Sequence, residues 1–227
     1  MSQATGKVAA IIPAAGSGTR LQSSISKAFI ELDGVSLLTR SALSLADFSD
    51  VVIVAVPQEH VQTAAANLDV VDSEVHIVVG GSNRQESVAA CLKILPEDVA
   101  VVLVHDAARP LVPGHVVKAV INKINGGSRA VVPVLPVVDT IKRVTTQGEV
   151  IETVNREQLR RVQTPQGFIR EVLVHAYGDP THVATDDAGL VEMSGVKVDT
   201  VEGSELAFKI TTAQDLAHAQ LLIGSTQ

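Results

Sequence analysis

The sequence predicts an α/β fold: a doubly wound, mostly parallel sheet covered by helices on both faces. Three observations lead there. Short apolar runs recur along the 227 residues, namely "KVAAIIPA" (7–14), "VVIVAV" (51–56), "VHIVV" (75–79), "AVVLVHD" (100–106) and "AVVPV" (130–134). Their hydrophobicity is continuous rather than alternating, as in strands buried on both faces. Each run is followed by a segment with helical spacing, and strands alternating with helices build right-handed β-α-β units. The composition is 46% hydrophobic but 2% aromatic, with no Trp, which leaves Val, Ile, Leu and Ala to fill the core.

The first run opens into a stretch of small residues. In a doubly wound sheet, ligands bind beyond the carboxyl ends of the strands, where loops such as 13–27 gather. Ala14, Ala15, Gly16, Ser17 and Gly18 leave their main-chain N–H groups unshielded, so phosphate oxygens can approach the backbone closely. Arg20 then offers a planar fork for phosphate, and Lys27 a compact point charge. On spacing alone, Gly16-x-Gly18 reads equally as a tight turn beside two solvated cations. A dinucleotide fingerprint requires a third glycine where Leu21 stands, and the Walker signature Gly-Lys-Ser/Thr is absent from the sequence.

Further along, "SNRQESVAACLKIL" carries a capping-box pattern from Ser82 to Gln85, with Val88, Cys91, Leu92 and Leu95 on one helical face. The segment after Pro113 reads as a helix that stops at Gly126-Gly127, and a last helix begins near Thr212 and ends at Gly224. One region breaks the rhythm: residues 139–162 alternate apolar with charged residues on both sides of Gln147-Gly148, the pattern of a β-hairpin with one wet face. An isolated two-stranded hairpin is marginal in water, so an arm over about 137–163 is expected to pack on a second copy of the chain. No linker or repeat divides the sequence, and residues 1–227 read as one domain.

The totals exclude several classes. With 18 Lys and Arg against 25 Asp and Glu, the net charge is -7, and few aromatics remain to stack on bases, so no nucleic-acid surface is expected. One cysteine, Cys91, rules out an internal disulfide and any cysteine-based metal cluster, and its place on the apolar helix face reads as inert core. The seven histidines show no metal-ligand spacing. No apolar run approaches membrane-helix length, and a cytoplasmic location is expected. "ATDDAGLVE" places Thr185, Asp186 and Asp187 at a helix start, where N-terminal capping explains the carboxylates as well as acid-base work would.

Taken together, "PAAGSGTRL…SKAF", "GGSNRQESV", "HDAARP", "TPQGF" and "TDDA", in that order over nearly the whole chain, resemble the 2-C-methyl-D-erythritol 4-phosphate cytidylyltransferase family. The resemblance implies a nucleotidyltransferase acting on CTP and a polyol phosphate with Mg²⁺, working as a homodimer. By the same resemblance Lys27, Arg20 and Lys209 are catalytic. CTP would be bound by Pro13, Ala14, Ala15, Gly16, Ser17, Gly18, Gly80, Gly81, Ser82, Ser87, Asp106 and Ala107, with Asp106 as the metal ligand. The acceptor would meet Asp106, Arg109, Thr140, Arg156, Thr164, Thr185 and Lys209, with Thr140 and Arg156 offered by the arm to the neighbouring subunit. Two positions depart from the family pattern: Ser82 stands where an acidic residue is common, and Ala207 where Asn is. Ribitol 5-phosphate cytidylyltransferases have similar sequences and a different acceptor, and a non-catalytic nucleotide-binding module could share the scaffold.

Overall fold

The structure is a computed structural model that describes residues 6–16, 26–179 and 181–224. Ser17, Gly18 and Arg20 of the expected phosphate loop lie outside the described residues. In chain order the elements are β1 (Lys7–Pro13), β2 (Glu31–Leu32), β3 (Val35–Ser36), α1 (Leu37–Ala46), β4 (Val51–Val56), α2 (Val61–Leu68), β5 (Glu74–Val79), α3 (Arg84–Leu92), β6 (Val99–Val104) and α4 (Gly114–Asn125). They continue with β7 (Ala130–Pro136), β8 (Ile141–Val144), β9 (Val150–Val154), β10 (Arg160–Val162), β11 (Gln166–Ile169), α5 (Arg170–Tyr177), α6 (Asp187–Met193), β12 (Asp199–Glu202) and α7 (Ala213–Gly224).

The main sheet runs β10-β7-β11-β6-β1-β4-β5, with β12 also paired to β7. Strands β5, β4, β1 and β6 are mutually parallel, while β11 runs antiparallel between β6 and β7. Alternate residues of each strand point into two separate cores. On one face Ala10, Ile12, Val52, Val54 and Leu103 meet α1, α2 and α4 through Leu38, Ala42, Leu68, Val117 and Val120. On the other, Ala9, Ile11, Ile53, Val102 and Phe168 meet α3, α5 and α6 through Val88, Cys91, Leu173 and Val191. Burial on both faces is why the strands read as unbroken apolar runs.

The chain reverses its direction across the sheet at β1, from which β4 lies on one side and β6 on the other. A crevice opens at such a point, beyond the carboxyl ends of the strands. The loops that follow β1 and β6 are therefore brought together.

Two expectations need correction. The cap of α3 is one residue later than the pattern from Ser82 to Gln85 suggests: Asn83 is the N-cap, accepting from the Glu86 amide at 2.8 Å. Glu86 reaches back to the amide and hydroxyl of Ser82 at 2.7 and 2.8 Å. Asn83 and Glu86 form the pair because Asn caps as well as Ser and, with the cap at Asn83, Glu86 is the residue three positions on that faces back to it, accepting from Asn83 Nδ2 at 2.7 Å. The predicted arm is also shorter than 137–163. β8 and β9 form a two-stranded sheet of their own, turning through residues 145–149 with Gly148 at φ +90°, whereas β10 rejoins the main sheet beside β7.

Strand β11 is not distinguishable from a loop in the motif "TPQGF", yet it lies between β6 and β7 with Gly167 against α4. A Cβ on Gly167 would come within 2.4 Å of Val120 Cγ1 and 3.4 Å of Leu103 Cδ2. Gly167→Ala is expected to lower the unfolding free energy by about 1–3 kcal/mol, the usual cost of overpacking a filled core. Urea denaturation checks this, and an unchanged midpoint would show that α4 yields freely.

Candidate active site

The site is built on the loops at the carboxyl ends of β1 and β6. A cavity of ≈ 280 Å³ is lined by Pro13, Ala14, Ala15, Gly16, Lys27, Ala28, Arg84, Ser87, Asp106, Ala107, Ala108, Lys209 and Thr211. Pro13 ends β1 and Ala14, Ala15 and Gly16 follow it, while Lys27 and Ala28 begin a single helical turn, Lys27–Phe29. Ala14 donates its amide to the Ala55 carbonyl at 2.7 Å, so this N–H extends the sheet instead of joining the expected cradle of bare amides.

Asp106, 8% exposed, is the centre of the charge arrangement. Its Oδ1 meets Arg84 Nε at 3.2 Å, and its Oδ2 meets Lys209 Nζ at 2.9 Å and Arg109 Nε at 3.6 Å. Burial works against the charge of the carboxyl, but Arg84, Lys209 and Arg109 outweigh it and hold the group far below the usual carboxylate range. Arg84 reaches past Asp106 to Asp187, with its Nη2 at 2.6 Å from Oδ2. Three cations thus share two carboxylates, an excess of positive charge even before Lys27 is counted. Arg109 is fixed from behind by donation to the Ala207 carbonyl at 2.7 Å, and its Nε has no hydrogen-bond partner among the described residues. The pocket suits an anionic ligand with several acceptor oxygens.

Behind Asp106 stands a brace of neutral groups. The Asp106 amide donates to Thr164 Oγ1 at 3.1 Å, Thr164 Oγ1 lies 3.0 Å from His105 Nδ1, and His105 Nε2 lies 3.2 Å from the Arg109 carbonyl. Burial pushes the His105 imidazole down to about 4, although Asp106 pulls the other way, so the ring is neutral near pH 7. A neutral ring donating from Nε2 to the carbonyl accepts the Thr164 hydroxyl proton at Nδ1, which fixes the turn 105–109.

Of the residues singled out from the sequence, the cavity gathers Pro13, Ala14, Ala15, Gly16, Lys27, Ser87, Asp106, Ala107 and Lys209. Gly80 adjoins the lining residues, where a Cβ on it would meet Ala15 Cβ at 2.5 Å and Ser87 Oγ at 2.9 Å, whereas Gly81 packs against Glu86. Ser82 is exposed and committed to Glu86. Thr164 is buried and faces the brace, and Arg109 packs beneath Asp106. Thr140, Arg156 and Thr185 are exposed and outside the cavity lining, with Arg156 donating to the Val138 carbonyl.

Arg84 is what the sequence reading missed, together with Ala28, Ala108 and Thr211. A signal was present: Arg84 opens α3, where a cation opposes the helix dipole and so calls for a carboxylate partner from elsewhere. Asp186 does cap α6, accepting from the Gly189 amide at 3.0 Å, but Asp187 is fully buried and serves Arg84.

The family model for 2-C-methyl-D-erythritol 4-phosphate cytidylyltransferase matches residues 8–225. The chain belongs to that family. The 2-C-methyl-D-erythritol 4-phosphate cytidylyltransferase of Saccharopolyspora erythraea is 49% identical over 95% of this chain and 99% of that protein. That of Rhodococcus jostii is 46% identical over 98% of each. Among solved structures, the enzyme of the same name from Thermus thermophilus superposes with a TM-score of 0.78 at 36% identity, covering 95% of this chain and 98% of that one. The 4-diphosphocytidyl-2C-methyl-D-erythritol synthase of Anaerococcus prevotii gives a TM-score of 0.84 at 27% identity, covering 96% and 99%. The cytidylyltransferase fold of these relatives carries the same mostly parallel sheet with flanking helices.

Thr164→Val is expected to strand the Asp106 amide and the His105 ring, costing about 1–3 kcal/mol of stability, whereas Thr164→Ser retains most of it. Equilibrium unfolding distinguishes the pair. A larger loss in Thr164→Ser than in Thr164→Val would place the importance of Thr164 in its methyl group and not in its hydroxyl.

Proposed function

We propose that the chain transfers a cytidylyl group from CTP to 2-C-methyl-D-erythritol 4-phosphate, releasing pyrophosphate, in the non-mevalonate route to isoprenoid precursors. The observation that carries the reading is Asp106 at the switch point, surrounded by Arg84, Arg109 and Lys209 and facing residues 13–16 and Lys27 across one cavity. Membership of the family supports the choice of nucleotide and acceptor.

An oxygen of the acceptor's phosphate forms a bond to the α-phosphorus of CTP while the α–β bridging bond breaks, and pyrophosphate leaves with the electron pair. The nucleophile is already an anion, so positioning and charge neutralisation are what the protein must supply. Lys27, Lys209 and Arg20 are the groups assigned to the charge that builds at the α-phosphorus. Lys209 is 42% exposed and bound to Asp106 at 2.9 Å, which leaves it placed to turn toward a phosphate. Ser87 lines the cavity with its hydroxyl donated to the Asn83 carbonyl at 2.8 Å, so its lone pairs remain to accept from the cytosine amino group.

Among the described residues, Asp106 is the carboxylate that lines the cavity, a hard oxygen donor suited to Mg²⁺. With three cations already around it, a dication fits when it arrives on the triphosphate, whose charge compensates its own. Asp106 would hold such an ion, which would supply neutralisation of the phosphates' negative charge.

The arm is assigned to a homodimer contact. Val144, Val150 and Ile151 are each more than half exposed on β8 and β9, a cost that a second copy would relieve, and Thr140 and Arg156 beside them do not line their own chain's cavity. A cytoplasmic site of action fits the one buried thiol, Cys91.

Pyrophosphate release with CTP, Mg²⁺ and methylerythritol phosphate is expected, and much slower release with ribitol 5-phosphate. The opposite preference would move the chain to the other acceptor. Lys27→Ala is expected to fold normally and lose about 100-fold or more in rate. Mixing it with inactive Arg156→Ala subunits is expected to restore part of the activity through hybrid dimers. Full activity of Lys27→Ala, or no recovery despite verified subunit exchange, would overturn the respective assignments.

A further inference from the structure

On the side of Arg84 away from the cavity is a carboxylate for which the reaction has no use. Asp187 is fully buried and does not line the cavity, yet it accepts two short hydrogen bonds, from Arg84 Nη2 at 2.6 Å and from the Tyr177 hydroxyl at 2.6 Å. The cap of α6 does not require it, since Asp186 already fills that role. A buried ion pair of this kind is a poor source of stability, because apolar residues of the same volume would do as well without the cost of removing charges from water. Its value lies in geometry.

Arg84 is otherwise badly placed. It opens α3, where the dipole repels it, on a long side chain with many rotamers. Asp106 holds its guanidinium at Nε and Asp187 at Nη2, one carboxylate after β6 and the other on α6, and Tyr177 at the end of α5 pins Asp187 in turn. The line Tyr177–Asp187–Arg84–Asp106 thus runs from the helical layer to the cavity wall through hydrogen bonds and ion pairs of 2.6, 2.6 and 3.2 Å.

We propose that Asp187, pinned by Tyr177, is a positioning residue for cytidylyl transfer: it clamps Arg84 from behind, and Arg84 in turn fixes Asp106 at the wall of the cavity. The inference rests on the cytidylyltransferase reading above. Ground-state binding of the nucleotide is spread over many contacts around the cavity, while a displaced Asp106 is felt most when charge is shifting at the α-phosphorus. The effect therefore falls on kcat more than on KM.

The test is steady-state kinetics on purified, folded Asp187→Asn, Tyr177→Phe and Arg84→Gln, and on the two double variants that carry Arg84→Gln. Asp187→Asn is expected to lower kcat about 10-fold to 100-fold, with both KM values within about threefold, and Tyr177→Phe to lower it by less in the same pattern. In the Arg84→Gln background each added change is expected to cost less than about twofold, because the clamp has nothing left to hold. Thermal unfolding adds a readout that separates positioning from folding. Arg84→Gln strands a buried charge and lowers Tm, whereas adding Asp187→Asn removes that charge and raises Tm again without restoring kcat.

Near-native kcat in Asp187→Asn, or losses that multiply with that of Arg84→Gln, would overturn the clamp. Should Asp187→Asn fail to fold, the Tyr177→Phe pair decides by the same criterion. Wild-type turnover in the same assay tests the reaction itself, so failure of the clamp and failure of the cytidylyltransferase reading give different results.

Discussion

A buried carboxylate held ionised by three cations organises this molecule's site. Asp106 is removed from water at the end of the central strand β6, which would ordinarily favour its neutral form. Arg84, Arg109 and Lys209 reverse that preference, and the same contacts fix where these cations stand when no ligand is bound. Each cation comes from a different part of the chain: the start of α3, the loop after β6, and the segment before α7. A single negative charge therefore draws together groups that would repel one another if left unpaired.

The fold makes that convergence possible. Because β1 has β4 on one side and β6 on the other, the loops that follow β1 and β6 face each other across a crevice. The antiparallel strand β11 follows directly from the segment that supplies Thr164, so the brace on the Asp106 amide is tied to the sheet. The three cations are not equally free. Arg109 is held by the Ala207 carbonyl and Arg84 by Asp187, while the ammonium of Lys209 is more exposed than either guanidinium. Two rigid cations and one adjustable one suit a site that must keep its shape and yet follow a moving phosphate.

Much of this was legible in the sequence, for physical reasons that differ by element. Strands covered on both faces leave continuous apolar runs, so β1, β4, β6 and β7 could be read directly, while β5, half-buried at the sheet edge, was read from its Val and Ile residues. The hairpin could be read from alternation about Gln147-Gly148, but the rejoining of β10 to β7 could not, since three residues of "RRV" carry no pattern that separates an arm from an edge strand. The short β11 was hidden for the same reason. At the site, Lys27, Asp106 and Lys209 were found through motifs. Arg84 and Asp187 were not given their roles because their meaning lies in a contact across about a hundred residues of sequence. Local reasoning saw a helix start at each and stopped there, and at Asp187 the adjacent Asp186 supplied a sufficient local explanation.

The central claim is that a nucleotide's phosphates meet this cation cluster and not some other surface of the molecule. A crystal structure with CTP and Mg²⁺ tests it most directly. The account predicts the triphosphate between residues 13–16 and the turn at 106–108, with Lys27 and Lys209 in contact with its oxygens and the metal beside Asp106. A nucleotide bound outside that crevice, or a triphosphate seated there with Lys209 still closed on Asp106 and no metal near it, would contradict it.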